Sequence, residues 1–303
     1  MHYKIGYYRG LINGGKRVAA ILNNKYYLYS HNELIGGFMD WKGKFQRPDI
    51  HLTSKGEWWN FTIDICGKEG EFYVKKGALK KYELQAIYCE TFYNYIFNGH
   101  SYIRPEMAVN AEDIVVDAGG CEGFYSRYAL NMGASKVIIF EPCKELAEGL
   151  KKTFEDEIST GRVLIIEKAL GRRAHKNKLY IDPNMFCASS MDENEVNANA
   201  LEQEIMVTSL DEILQSMGIG HVDIIKMDIE GAEIDAVIGM RRTIKKCHPK
   251  MMIATYHSYY NAIKIRKICR DLHKDYQCKV FGCYFFERPF RPYMTFCNKE
   301  FDD

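Results

Sequence analysis

From residue 105 onward, short runs of consecutive apolar residues alternate with stretches whose apolar positions recur every three or four residues. The runs DIVVDAG (113–119), KVIIFEP (136–142), VLIIEKAL (163–170), VDIIKMD (222–228) and MMIATYH (251–257) predict buried strands. Helical spacing falls between most of them, over 125–132, 144–155, 209–215, 232–246 and 261–274. Strands that are apolar throughout, separated by helices, imply a mainly parallel sheet covered on both faces. The interval 172–204 is polar, rich in Asn and without clear period, and reads as either a surface insertion or a flap over a site. The last aromatic segment predicts an antiparallel hairpin turning near 289–292. The first 78 residues look different: RVAAILNN, KYYLYS, WWNFTIDIC and GEFYVKK are strand-like and are broken by Gly, Asn and Lys-Gly turn signals. From 79 to about 97 the spacing turns helical through Leu79, Tyr82, Ala86, Ile87, Glu90 and Tyr93. The pattern therefore predicts an α/β chain with a small β-rich N-terminal region, 1–83, followed by a larger domain, 84–303.

Composition narrows the possibilities. With 303 residues, 47% of them apolar, the chain can bury a sizeable core without staples. A formal net charge of +1 argues against a nucleic-acid or membrane footprint, and the modest basic excess before residue 100 is ordinary solvated surface. Ten cysteines contain no Cys-x-x-Cys pair, and Cys278 and Cys283 have no His at familiar spacing. No apolar leader and no run of 18 apolar residues is seen. Free thiols and a cytoplasmic location are expected.

Chemistry concentrates at three strand ends. The first carries Asp117, Gly119, Gly120, Cys121, Gly123, Phe124 and Tyr125, a glycine turn that lets backbone N–H groups approach a ligand at a helix N-terminus. Such a turn also suits a dinucleotide, but an acid before the glycines would repel a pyrophosphate. It would suit the ammonium and sulfonium of S-adenosylmethionine, and the order G-x-G-x-x-G is absent. The second ends in Glu141-Pro142, where a carboxylate can accept hydrogen bonds from both hydroxyls of an adenosine ribose. The fourth ends in Lys226, Asp228, Glu230 and Glu233, charges that are unfavourable to bury unless paired or used. A structural ion pair, Lys226 with Glu230, is the competing explanation there.

These strings resemble the FkbM-type family of S-adenosylmethionine-dependent methyltransferases over roughly 84–300. The likeness lies in VVDAGGCEGFYS, FEP, EKALG (167–171), VTSLDEI (207–213) and, most specifically, VDIIKMDIEGAE (222–233). The resemblance implies a Rossmann-like class I methyltransferase sheet, mostly parallel with an antiparallel C-terminal hairpin. It implies methyl transfer, usually to a hydroxyl oxygen of a sugar, polyketide or related small molecule. By position, Asp117, Gly119, Gly123, Glu141 and Asp228 would line the cofactor pocket, with Lys168 and Ala169 beside the adenine. Cys121-Glu122 departs from the Asn-x usual at this turn, and the aromatic N-terminus has no counterpart in the family.

On the acceptor side, His257, which follows the fifth strand, Asp228 and Glu230 are the candidates for a general base, and Lys226 is a further catalytic candidate. A divalent metal held by Asp228, Glu230 and His257 is compatible with these residues, though no spacing demands one. Ser189 and Ser190 are candidates for contact with either ligand. The expected partner is a small-molecule or saccharide acceptor, with no nucleic acid and no membrane span; a homo-oligomer is compatible with all of this. Two rivals are an NAD-dependent oxidoreductase, disfavoured by Asp117, and a non-catalytic subunit that keeps the adenosine pocket.

Overall fold

The structure, a computed structural model, describes residues 47–95, 98–183, 185–282, 284 and 291–299. Strands expected at 17–30 lie outside the described residues, as does most of the turn expected near 289–292.

Seven strands build the main sheet: β4 (Ile114–Ala118), β5 (Lys136–Phe140), β6 (Val163–Ile166), β11 (Ile224–Met227), β12 (Lys250–Ala254), β13 (Gln277–Phe281) and β14 (Met294–Asn298). Their order is β13-β14-β12-β11-β4-β5-β6. All pairings from β12 to β6 are parallel, while β14 runs antiparallel to both neighbours. The mostly parallel sheet and its C-terminal antiparallel pair are thus as the sequence predicts. Alternate residues of the apolar runs feed two cores: Val115, Val137, Ile139 and Met252 on one face, Val116, Ile138, Ile225 and Met251 on the other. The first face is covered by α2 (Phe124–Asn131) and α3 (Lys144–Thr153), which is followed by the short α4 (Glu155–Ser159). The second is covered by α5 (Leu210–Ser216), α6 (Glu233–Gly239), α7 (Arg241–Cys247) and α8 (Asn261–Leu272). The helix expected over 232–246 is two, broken at Met240 (φ −114°). Gly239 sets the tight contact there: a Cβ on it would lie 2.1 Å from the Gly171 carbonyl oxygen.

Two expectations need correction. The run 163–170 is not one strand. The polar pair Glu167-Lys168 ends β6 at the sheet edge in a tight turn, Lys168 N–H donating to Ile166 O at 2.8 Å. The chain then enters a second, four-stranded sheet of order β7-β10-β8-β9. Its strands are β7 (Ala169–Leu170), β8 (His175–Asp182), β9 (Met185–Ser190) and β10 (Leu201–Thr208), so the polar interval 172–204 is largely strand. Only one face of it is buried, through Leu179 and Ile181 of β8 and Ile205 and Val207 of β10. The outward face carries charges such as the Lys178–Glu202 pair (2.6 Å) and hides the two-residue period from a count of apolar residues.

The N-terminal strands β1 (Thr53–Lys55), β2 (Trp58–Ile65) and β3 (Lys68–Lys75) form an antiparallel sheet. It shares the main core: Phe61 and Phe72 stack at 5.5 Å, and Phe72 meets Phe124 of α2 edge-on at 4.9 Å. Tyr73 N–H donates to Thr153 Oγ1 of α3 at 2.9 Å. A boundary at 83/84 falls inside α1 (Lys81–Phe92), which joins this sheet to the rest. No helix among the described residues is long and apolar enough to cross a membrane. The described cysteines are free, yet α8, β13 and β14 gather three of them: Cys297 Sγ lies 2.8 Å from Cys278 Sγ and 3.9 Å from Cys269 Sγ.

Candidate active site

A cavity of about 460 Å³ opens at the carboxyl ends of β4, β5 and β11, the size expected of a small-molecule site. Helix α1 and strand β9 form its roof through Glu83, Ile87, Glu90, Phe186 and Ser189.

Its floor begins with the glycine turn. Gly119 adopts φ +81°, and a Cβ there would lie 1.9 Å from the Asp228 carbonyl oxygen, so this position joins two strand ends that only glycine can bring so close. Gly119 and Gly120 donate N–H to Phe140 O at 3.0 and 3.2 Å. Cys121 sits at φ +47°, the left-handed region that Gly and then Asn occupy most readily. The carboxylate of Glu141 ties the turn to the end of β5, accepting Cys121 N–H and Cys143 N–H at 2.9 Å each. One lone pair per oxygen remains for a ligand. Burial pushes Glu141 up to about 7 against the pull of those two N–H groups.

Asp117, expected beside the ligand, does not line the cavity. It is 1% exposed, paired with Lys226 Nζ at 3.0 Å and accepting from Ser126 Oγ at 2.7 Å. Its partner Lys226 also donates to Gly119 O at 2.6 Å. The two side chains meet because β4 and β11 are parallel neighbours with Asp117 and Lys226 in register. The structural pair is therefore Lys226 with Asp117, not Glu230. Gly123 and Phe124 are also absent from the cavity: Gly123 (φ +91°) packs against Phe154, and Phe124 belongs to the aromatic core.

The expected cavity residues Gly119, Gly120, Cys121, Tyr125, Glu141, Pro142, Lys168, Ala169, Lys226, Asp228 and Glu230 do line it, as does Ser189. Ser190 instead donates to Glu230 O at 3.2 Å. Sequence reasoning missed Glu122, whose Oε2 is buried on the cavity without a hydrogen bond, and Tyr125 brings a buried hydroxyl likewise without one. Burial raises the carboxyl of Glu122 above its usual range. It also missed His100 and Tyr102, which precede the first main-sheet strand in no recognisable motif; Tyr102 OH donates to Asp228 Oδ2 at 2.6 Å.

His257 lies beside Asp228 and Glu230, because β11 and β12 are neighbours, but unlike them it does not line the cavity. It is not placed as a free base. Nδ1 is 2.9 Å from Glu233 Oε1 and Nε2 is 3.2 Å from Glu230 Oε2. Burial alone would lower the imidazole, but Glu233 and Glu230 outweigh it and hold the ring as the cation, well above the usual range. Asp228 shows the converse. Burial would raise its carboxyl, and His257, His100, Lys226 and the Tyr102 hydroxyl together hold it below the usual value. Glu230 occupies a left-handed backbone conformation (φ +49°), strain of the kind found at functional sites.

The family model of the methyltransferase FkbM domain matches residues 117–277, more than half of the chain. "Methyltransferase sdnD" of Sordaria araneosa is 22% identical over 195 residues, covering 55% of this chain and 74% of that protein. Among solved structures, methyltransferase FkbM from Methylobacillus flagellatus KT is 19% identical with a TM-score of 0.47, covering 74% of this chain and 56% of that one. The chain thus spans little more than half the length of that solved relative. The 16S rRNA N2 G1207 methyltransferase of T. thermophilus, solved with AdoMet and guanosine, is 14% identical with a TM-score of 0.41, covering 81% of this chain and 52% of that one.

Proposed function

The chain belongs to the FkbM methyltransferase family and uses S-adenosylmethionine, and from that premise we propose that it methylates a hydroxyl oxygen of a sugar, glycan or other small-molecule natural product. One observation carries the reading. The cavity wall near Asp228 presents the carboxylates of Glu90, Asp228 and Glu230 together with Tyr102 and Tyr256. Such a wall accepts hydrogen bonds from hydroxyl groups, stacks on a sugar ring and repels a phosphate chain, so it favours a small polyhydroxylated acceptor over nucleic acid.

The residues present fit the cofactor. Glu141 would take the ribose hydroxyls on its free lone pairs, and Lys168-Ala169 would flank the adenine. The unpartnered Glu122 Oε2 and Tyr125 OH would receive the amino-acid end, the part that the sequence alone assigned to Asp117. When bound, S-adenosylmethionine supplies an electrophilic methyl group on a positively charged sulfur. The protein's part is alignment: the turn and Glu141 fix the nucleoside, α1 and β9 exclude water, and Asp228 and Glu230 hold the acceptor hydroxyl. Helix α1 would serve the substrate side, since it closes the cavity.

Two titrations test this. S-adenosylhomocysteine should bind with a measurable heat and raise the melting temperature, while NAD should do neither; tight NAD binding with no response to the sulfur ligand overturns the assignment. The second reads Glu141. Its folded value of about 7 lies above the unfolded carboxyl range, so the group withdraws folding stability progressively as pH rises toward 7. Ribose hydroxyls donate to the ionised form. Cofactor affinity should therefore rise by up to about tenfold per pH unit below about 7 and level off above it. Glu141→Gln should bind more weakly and lose this profile; an unchanged profile removes Glu141 from the site.

A further inference from the structure

We propose that Asp228, Glu230 and His257 form a divalent-cation site at the edge of the cavity, which Asp228 and Glu230 line. The proposal deepens the methyltransferase reading and takes its chemical purpose from it, but the binding test does not depend on it.

Three ligand-type atoms converge. Asp228 Oδ1 lies 3.6 Å and Glu230 Oε2 3.2 Å from the same His257 Nε2. Neighbouring ligands around a six-coordinate ion with bonds of about 2.1 Å are roughly 3 Å apart, close to both distances at Nε2. The opposite ring nitrogen, Nδ1, faces Glu233 Oε1 at 2.9 Å. Glu233 is fully buried and immobilised by Ile229 N–H (3.3 Å), Gly231 N–H (3.2 Å) and Asn261 Nδ2 (3.1 Å). A carboxylate behind the imidazole is the arrangement that fixes the tautomer and aims the other nitrogen at a metal. Glu233 is thus the orienting group, while Glu230, which borders the cavity, is the ligand.

A second observation concerns hydrogen bonding around the same residues. Asp228 Oδ1 and both ring nitrogens of His100 are buried without a hydrogen bond, while the ring nitrogens of His257 meet only carboxylate oxygens. The His257 side chain is only 9% exposed, and His100 Nε2 stands 3.6 Å from Asp228 Oδ2. Buried polar atoms are rarely left so, and an ion bound at Asp228 Oδ1 would satisfy that oxygen. Mixed carboxylate and imidazole donors suit Mn²⁺ and its neighbours better than Ca²⁺.

A cation held by Asp228, Glu230 and Nε2 of His257, which would release its ring proton on binding, would face the acceptor and acidify its hydroxyl. The hydroxyl proton passes through Glu230 to solvent, and the oxygen forms its bond to the methyl carbon. The C–S bond breaks with its electron pair staying on sulfur.

Titration of the full chain with MnCl₂, followed by the loss of the free-Mn²⁺ electron paramagnetic signal and by calorimetry, should show one ion per chain. Asp228→Asn and Glu230→Gln should each weaken binding at least tenfold, with circular dichroism confirming that each variant is folded. No Mn²⁺ binding by a chain that binds S-adenosylhomocysteine overturns the site and leaves an ion-paired imidazolium. Binding that survives both substitutions in folded variants places the ion elsewhere and overturns it equally. Mn²⁺ binding without S-adenosylhomocysteine binding keeps the site and removes the cofactor reading instead.

Discussion

Lys226→Met is expected to lower the stability of the fold by about 3–5 kcal/mol, the loss seen when one partner of a buried ion pair is removed. Lys226 and Asp117 are 8% and 1% exposed at a separation of 3.0 Å. The ammonium also binds Gly119 O (2.6 Å) and lies 5.3 Å from the centre of the Tyr102 ring. Methionine fills the volume and makes none of these bonds, so the Asp117 carboxylate would remain charged in the core with only Ser126 beside it. Asp117→Asn combined with Lys226→Met should recover part of the loss, because no uncompensated charge is then buried. Urea denaturation of the two variants and the parent decides it. A loss below about 1 kcal/mol would show that Lys226 is not structural and would return it to the catalytic candidates.

The second large effect concerns the amino-acid end of the cofactor. Glu122→Gln should weaken S-adenosylhomocysteine binding by about 10- to 100-fold, since a hydrogen bond to a charged group contributes roughly 1.5–3 kcal/mol. The substitution is selective. A Gln carbonyl can still accept Phe124 N–H, now held by Glu122 Oε1 at 3.2 Å, while its NH₂ faces the ligand's ammonium. Burial disfavours the charged carboxylate in the free protein. The variant should therefore melt no lower than the parent, which separates lost binding from lost folding. Asp117→Asn, assayed beside it, should affect affinity far less. If Asp117→Asn is instead the more damaging of the two, the ammonium lies deeper than proposed and the sequence-based assignment is restored.

Much of this protein is legible in its sequence. Strands buried on both faces must be apolar throughout, and helices between them must carry an apolar stripe, so both periods mark their elements directly. That is why β4, β5, β11 and β12 and most covering helices lie where the pattern puts them. The antiparallel closing pair is legible as well. The glycine turn and Glu141 are also readable, because backbone geometry restricts which residues a strand-to-helix turn admits. The second sheet was not legible: strands buried on one face only, with charged residues facing solvent, dilute the apolar signal below notice.

What only the tertiary structure decides is which charges meet. Sequence places Asp117, Lys226, Asp228, Glu230 and His257 at strand ends, but parallel pairing of β4 with β11 brings Lys226 onto Asp117 and removes both from the chemistry expected of them. The same packing surrounds His257 with three carboxylates, turning a candidate base into a held cation. It carries His100, Tyr102 and α1 from outside every motif onto the cavity, and it gathers three cysteines that no spacing relates. The physical reason is common to all of these. Residue type and local period fix the backbone element through short-range sterics and burial, whereas protonation and role depend on distances of 3–4 Å to groups that the fold alone makes neighbours.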